Sequence, residues 1–120
     1  MKSHKTVNKR GKGGATMEWE VVICTIIANA GESKSCSLAA IEAAREGDFE
    51  EADRMLQESE RTFLLAHEAH VQILTKEAGE EAVPMSFLLV HAANHLSNAE
   101  IAKDMAEQLV AILRKGMKIC

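Results

Sequence analysis

Apolar residues recur at every third or fourth position along most of the chain, the period of helices that each turn one face to a core. Trp19, Val22, Ile26, Ala30, Ser33, Ser37, Ile41 and Ala44 mark a first helix from about Glu18, with a stripe that becomes small and polar in its middle and with Gly31 as a candidate kink. Gly47 and Asp48 break the pattern. A glycine suits the left-handed residue that ends a helix, an aspartate suits the N-cap of the next, and Glu51 stands at the acidic position of a capping box. So short a turn makes the two helices antiparallel neighbours. The second helix is predicted from Phe49 to about Ala78 on the stripe Phe49, Ala52, Leu56, Ser59, Phe63, Ala66, His70, Ile73 and Glu77. Gly79 should stop it. Residues 80–85 form a loop containing the single proline, and Ser86 is an N-cap for a third helix that reaches about Lys115 and ends at Gly116.

The third helix has two apolar seams. Leu88, Ala92, His95, Ala99, Ala102, Ala106, Leu109 and Leu113 make one; Phe87, His91, Asn94, Asn98, Ile101, Met105 and Ile112 make the other. A three-helix bundle has one interior, so the second seam predicts that bundles associate. Composition agrees: 120 residues make one domain, and 47% apolar residues with only 3% aromatics, no tyrosine and one proline favour helices over sheets. The expected fold is all-α, an antiparallel three-helix up-down-up bundle. No repeat of fixed period suggests a solenoid.

Charge divides the chain. Residues 1–16 hold Lys2, Lys5, Lys9, Arg10 and Lys12 with no acid, so the net −4 of the whole leaves −9 for residues 17–120. Residues 1–16 also lack apolar periodicity and are expected to be a disordered basic tail, with 17–120 as the folded domain. Gly-Lys-Gly-Gly before Met17 is also what a purine-rich ribosome-binding stretch would encode, which makes Met17 a second candidate start. The acidic body does not suit nucleic acid. No apolar run nears the roughly 20 residues of a membrane span, and no apolar segment follows the basic one as in a signal peptide, so a cytoplasmic protein without membrane insertion is expected. Cys24, Cys36 and Cys120 are odd in number, without metal-ribbon spacing, and read as reduced thiols.

Chemistry concentrates at His91 and His95, four residues apart on one side of the third helix with Asn94 alongside. Three readings suit such a pair. Two hydrogen-bonded interface histidines are one. A zinc site completed by His67 and His70 of the second helix is another, though no cysteine or carboxylate stands at matching spacing. The third is nucleophilic or phosphoryl-carrier work by one histidine oriented by the other.

The stretches AGESKSCSLAAIEAAREGDFEEADRML, AHEAHVQILTKEA and VPMSFLLVHAANHL, in that order and at those spacings, resemble the IIA component of the lactose/cellobiose family of the phosphoenolpyruvate-dependent sugar phosphotransferase system. The similarity covers about Val21 to Lys115, with GDF in the first turn and LVH-x-x-x-HL in the third helix as its most specific parts. The resemblance implies a homotrimer of three-helix bundles. It also implies a carrier that takes a phosphoryl group from the phosphocarrier HPr and passes it to a cysteine of a IIB component. Spacing alone leaves the choice of histidine open; by the family's H-A-Q-D-H-L motif the phosphoacceptor falls on His91, with His95 as the orienting partner that contacts the phosphate. His91 lies about five residues inside the helix, beyond the free amides of its first turn, so side chains must hold the phosphoryl oxygens.

The departures cluster at this site. Ala93 and Asn94 stand where the family has Gln and Asp, Ser97 and Asn98 where it continues Met-Thr, and His70 and Val71 where it has Gln-Thr. In the family that Asp is associated with a metal on the trimer axis. Asn94 is neutral and a poor ligand, so no cofactor is expected and Mg²⁺ at the axis is disfavoured. A different class of function is a helical trimer that kept the fold, lost the chemistry, and binds a partner in a structural or regulatory role. Sugar identity is not written in this chain, because selectivity belongs to the membrane component.

Overall fold

The computed structural model describes residues 2–79, 83 and 85–119, with side chains described over 18–79, 83 and 85–116. Its elements are three helices, α1 (Lys2–Arg45), α2 (Phe49–Ala78) and α3 (Phe87–Ile119), in the up-down-up order the periodicity predicts. The α1–α2 turn forms as its residues dictate. Gly47 has φ 82°, where a side chain would be strained, and Asp48 Oδ1 accepts the Glu51 amide at 3.1 Å. The second half of the capping box is corrected. Asp48 N–H donates instead to Ala43 O at 2.9 Å, and the Glu51 carboxylate takes a two-pronged hydrogen bond from Arg54, which lowers its pKa.

The helix ends differ from expectation in two places. α3 continues through Gly116 to Ile119, because Gly116 has no left-handed φ and a glycine inside a helix costs only about 1 kcal/mol. α1 begins at Lys2, ahead of the Glu18 expected, since extending an existing helix adds one hydrogen bond per residue fixed. Side chains of residues 1–17 lie outside the described residues, and with them the expectation of a disordered basic tail over residues 1–16. Most of the 80–85 loop and Cys120 lie outside as well. α1 runs unbroken through Gly31.

α1 is the shared partner: α2 and α3 each pack along it, and they meet one another much less. The core is accordingly split into two clusters along α1. One joins Ile23, Ile26 and Ala30 to Phe63, Ala66, Ile73, Leu89 and Leu96; the other joins Ala40 and Ala44 to Ala52 and Val110. Seven residues buried to 0% are alanines (Ala40, Ala44, Ala52, Ala66, Ala92, Ala99 and Ala106), so the backbones approach closely and stability rests on many short contacts rather than on large side chains. The stripe of α1 shifts accordingly. Cys36 and Ala40 are buried, while Ile41 is only half-buried.

The polar middle of that stripe is a chain of hydroxyls. Ser33 Oγ donates to Ser59 O at 2.9 Å and lies 3.1 Å from Ser59 Oγ, which lies 2.7 Å from Ser37 Oγ. All three side chains are buried to 0%. With the Ser33 hydrogen committed to the carbonyl, Ser59 must donate to Ser33 Oγ and Ser37 to Ser59 Oγ, so each hydrogen has one place to go. Thr62 is held beside them by the Glu58 and Ser59 carbonyls.

This network predicts a non-additive result. Ser59→Ala strands the buried Ser37 hydroxyl and should destabilise the fold by about 1–3 kcal/mol. Adding Ser37→Ala should recover part of that loss, which denaturant unfolding of the two single variants and the double variant will measure.

Candidate functional site

α3 is fixed on α1 by Leu89, Ala92, Leu96, Ala99, Ala106 and Val110, all buried. The inner seam is thereby corrected: Leu88 and Leu109 are exposed, and Leu89, Leu96 and Val110 take the core positions. With apolar residues nearly all round α3, periodicity could not choose between faces one residue apart. The second seam is exposed in this chain, with Phe87 85%, Ile101 63%, Met105 56% and Ile112 63% accessible. His91, Asn94 and Asn98 lie exposed on the same helix.

The start of α3 is capped by Ser86, whose Oγ accepts the Leu89 amide at 3.1 Å and whose carbonyl accepts Val90 N at 3.2 Å. His91 follows as the fifth helical residue. Its Nε2 lies 3.0 Å from Nε2 of His95, with ring centroids 4.4 Å apart and planes at 88°. One ring donates and the other accepts, so two neutral imidazoles must be opposite tautomers here. The Phe87 ring lies nearly parallel to His91, at 15° and 6.4 Å between centroids. His91 is exposed and His95 half-buried, because the buried Ala92 and Leu96 hold the helix face one step away. As the fifth helical residue, His91 lies beyond the free amides of the first turn, and its ring neighbours are His95 and Phe87.

The four-histidine zinc arrangement is not assembled. His67 stacks instead on Phe63, at 5.9 Å and 19°, and among the described residues no group of three or more His, Cys, Asp or Glu is placed to hold a metal. Of the departures near the site, Asn94, Ser97 and Asn98 are exposed and Ala93 is half-buried.

One residue escaped sequence reasoning. Lys103 has only 12% of its side chain accessible, with Nζ 3.1 Å from Glu60 Oε1, 3.3 Å from Asp104 Oδ1 and 5.3 Å from the Phe63 ring centroid. Its pKa is raised: burial pulls it down, but the hydrogen bonds to Glu60 and Asp104 together with the charges of Glu107 and Glu60 outweigh that. The signal was present, since Lys103 follows Ala99 by four and precedes Ala106 by three on the inward face. It ties α3 to α2, the two helices with the least direct contact. Arg114 does the same at the other end, bonding Asp53 and lying 4.9 Å over Phe49. Cys36 is a buried thiol whose pKa is raised by burial and then by Glu32, whereas Cys24 is exposed.

Three comparisons bear on this geometry. The family model described as PTS system, Lactose/Cellobiose specific IIA subunit matches residues 21–114. The chain is 39% identical over 98 residues to the lichenan-specific phosphotransferase enzyme IIA component of Bacillus subtilis, covering 82% of this chain and 89% of that one. It is 32% identical over 98 residues to the N,N'-diacetylchitobiose-specific EIIA component of Escherichia coli, covering 82% and 84%. Among solved structures, the cellobiose-specific enzyme IIA of Bacillus anthracis superposes with a TM-score of 0.80 at 28% identity, covering 83% of this chain and 92% of that one.

The histidine pair makes a spectroscopic prediction. At a pH where both rings are neutral, ¹⁵N imidazole spectra should show one ring protonated on Nε2 and the other on Nδ1. His95→Gln should remove that asymmetry from His91; identical tautomers in the unsubstituted chain would contradict the geometry.

Proposed function

This chain belongs to the lactose/cellobiose-specific IIA family of the sugar phosphotransferase system, and from that premise we propose that His91 carries the phosphoryl group with His95 as its partner. IIA components are the phosphoryl carriers of that system, and a IIA component works with a sugar-specific IIB component. The observation that supports His91 is the 3.0 Å Nε2–Nε2 contact on an exposed edge of α3. When His91 is the acceptor in that bond, its proton sits on Nδ1 and its Nε2 is unprotonated, so its lone pair is freed once the bond to His95 opens. That lone pair forms the N–P bond while the bond from phosphorus to its donor atom on HPr breaks, and the donor leaves with the electron pair. The His95 Nε2–H, released from His91, turns to a phosphoryl oxygen and offsets its charge. Transfer onward reverses the step, with the IIB cysteine thiolate attacking phosphorus and His91 leaving as neutral imidazole. The sugar is of the lactose, cellobiose or chitobiose type, in keeping with the specificities for which the relatives are named. Among the described residues no helix is long and apolar enough to cross a membrane, and we place the carrier in the cytoplasm, where it meets HPr.

The exposed row of α3 supports a homotrimer in which three such rows meet on an axis. Three Asn94 side chains close to that axis carry no charge and can hydrogen-bond to one another or to a shared water, so assembly requires no cation. Three carboxylates there would repel.

Two outcomes follow. With phosphoenolpyruvate, enzyme I and HPr, the intact chain should gain an acid-labile phosphoryl mass; His91→Gln should abolish it and His95→Gln reduce it, and loss with His95→Gln alone would reverse the roles. In ultracentrifugation the chain should remain trimeric in chelator, whereas Asn94→Asp should depend on Mg²⁺, most visibly at low salt.

A further inference from the structure

The same two imidazoles that suit phosphoryl transfer also have the spacing of a metal chelate. Two nitrogens bound at about 2.0–2.1 Å to one ion stand about 2.9–3.4 Å apart as the angle between them opens from square to tetrahedral. His91 Nε2 and His95 Nε2 are already 3.0 Å apart. They sit one helical turn from each other on a backbone that keeps the rings together, so the ion has to break their hydrogen bond and turn both lone pairs onto itself but does not have to gather distant groups. His91 is exposed, so an ion can reach the pair from solvent.

We propose that His91 and His95 together bind a borderline-soft divalent cation, with Zn²⁺ as the representative, and that this ion blocks phosphoryl acceptance. The class follows from the donors. Two imidazoles suit zinc, nickel and copper, whereas magnesium requires oxygen ligands, and the residue beside them, Asn94, is a neutral amide where a carboxylate would have attracted a harder ion. Binding from the neutral pair releases no net proton: the ring that donates the Nε2–H bond shifts its hydrogen to Nδ1, and both Nε2 lone pairs face the ion. With only two protein ligands the remaining positions hold water, which makes the site reversible rather than structural. The lone pair that the ion occupies is the one that would attack phosphorus. Metal and phosphoryl group therefore exclude each other, and free zinc becomes a brake on this carrier.

The blocking half of this inference rests on His91 being the phosphoacceptor; the binding half does not. Isothermal titration of the full chain with ZnCl₂ tests binding directly, and the parent serves as reference so that any zinc held by cysteines is common to all samples. One site per chain should weaken by about tenfold or more in His91→Gln and in His95→Gln, a loss at least as large as outer-shell changes cause in metal sites, with folding checked by circular dichroism. MgCl₂ should give no such site. Unchanged zinc binding in either variant would overturn the chelate. Zinc should also slow HPr-dependent labelling of the parent, and the phosphorylated chain should lack the site; labelling that is indifferent to a zinc concentration that saturates the site would overturn the block. Zinc binding that depends on both histidines in a chain that HPr never labels would uphold the chelate and count against the carrier assignment of His91 alone.

Discussion

Close approach of the helices to α1 is the constraint on which this molecule depends. Fully buried alanines at 40, 44, 52, 66, 92, 99 and 106 allow it, and they exact a condition in return: a larger side chain would have to displace its packed neighbours, and any polar group in the seam must find its partner there. The serine chain of 33, 37 and 59 meets that condition by pairing across α1 and α2, which fixes their relative sliding more sharply than apolar contact would. α3 is then seated against both by Leu89, Leu96 and Val110, and its angular position decides where His91 and His95 point.

Because α1 mediates most of the packing, the direct contact between α2 and α3 is the smallest of the three, and charged groups add to the apolar clusters the two helices share. Lys103 and Arg114 reach across with long stems over Phe63 and Phe49 and end on carboxylates of α2. Such contacts are individually modest in strength, since the carboxylates remain partly in water, but they set direction. The histidine edge thus sits on a helix packed against both neighbours, with ion pairs at the margin of its contact with α2.

Sequence patterning carried the fold well where two signals coincided. The α1–α2 turn was legible because Gly47 and Asp48 interrupt apolar periodicity with residues whose own conformational preferences specify a turn. α2 was legible end to end for the same reason. The facing of α3 was not, because leucine or isoleucine occurs on nearly every side of it, and only tertiary packing distinguishes Leu88 from Leu89 or Leu109 from Val110. The site was legible as a pair, since i and i+4 on a helix must be neighbours, but the order of roles between His91 and His95 came from family resemblance. Lys103 shows the opposite failure: a charged residue at an inward position was readable, and hydropathy counting passed over it.

The positions that depart from the family's motif lie on the outer side of α3, at Asn94, Ser97 and Asn98, with Ala93 at the margin, while the alanines and leucines one step away are sealed in the core. Inheritance can therefore act on the two sets separately. A substitution on the outer edge changes charge, ligand preference or partner choice at little cost in fold stability, and one on the inner edge is filtered by packing before its chemistry is ever tried. One helix thus carries an inner half constrained by packing and an outer half that selection can retune while the bundle beneath stays the same.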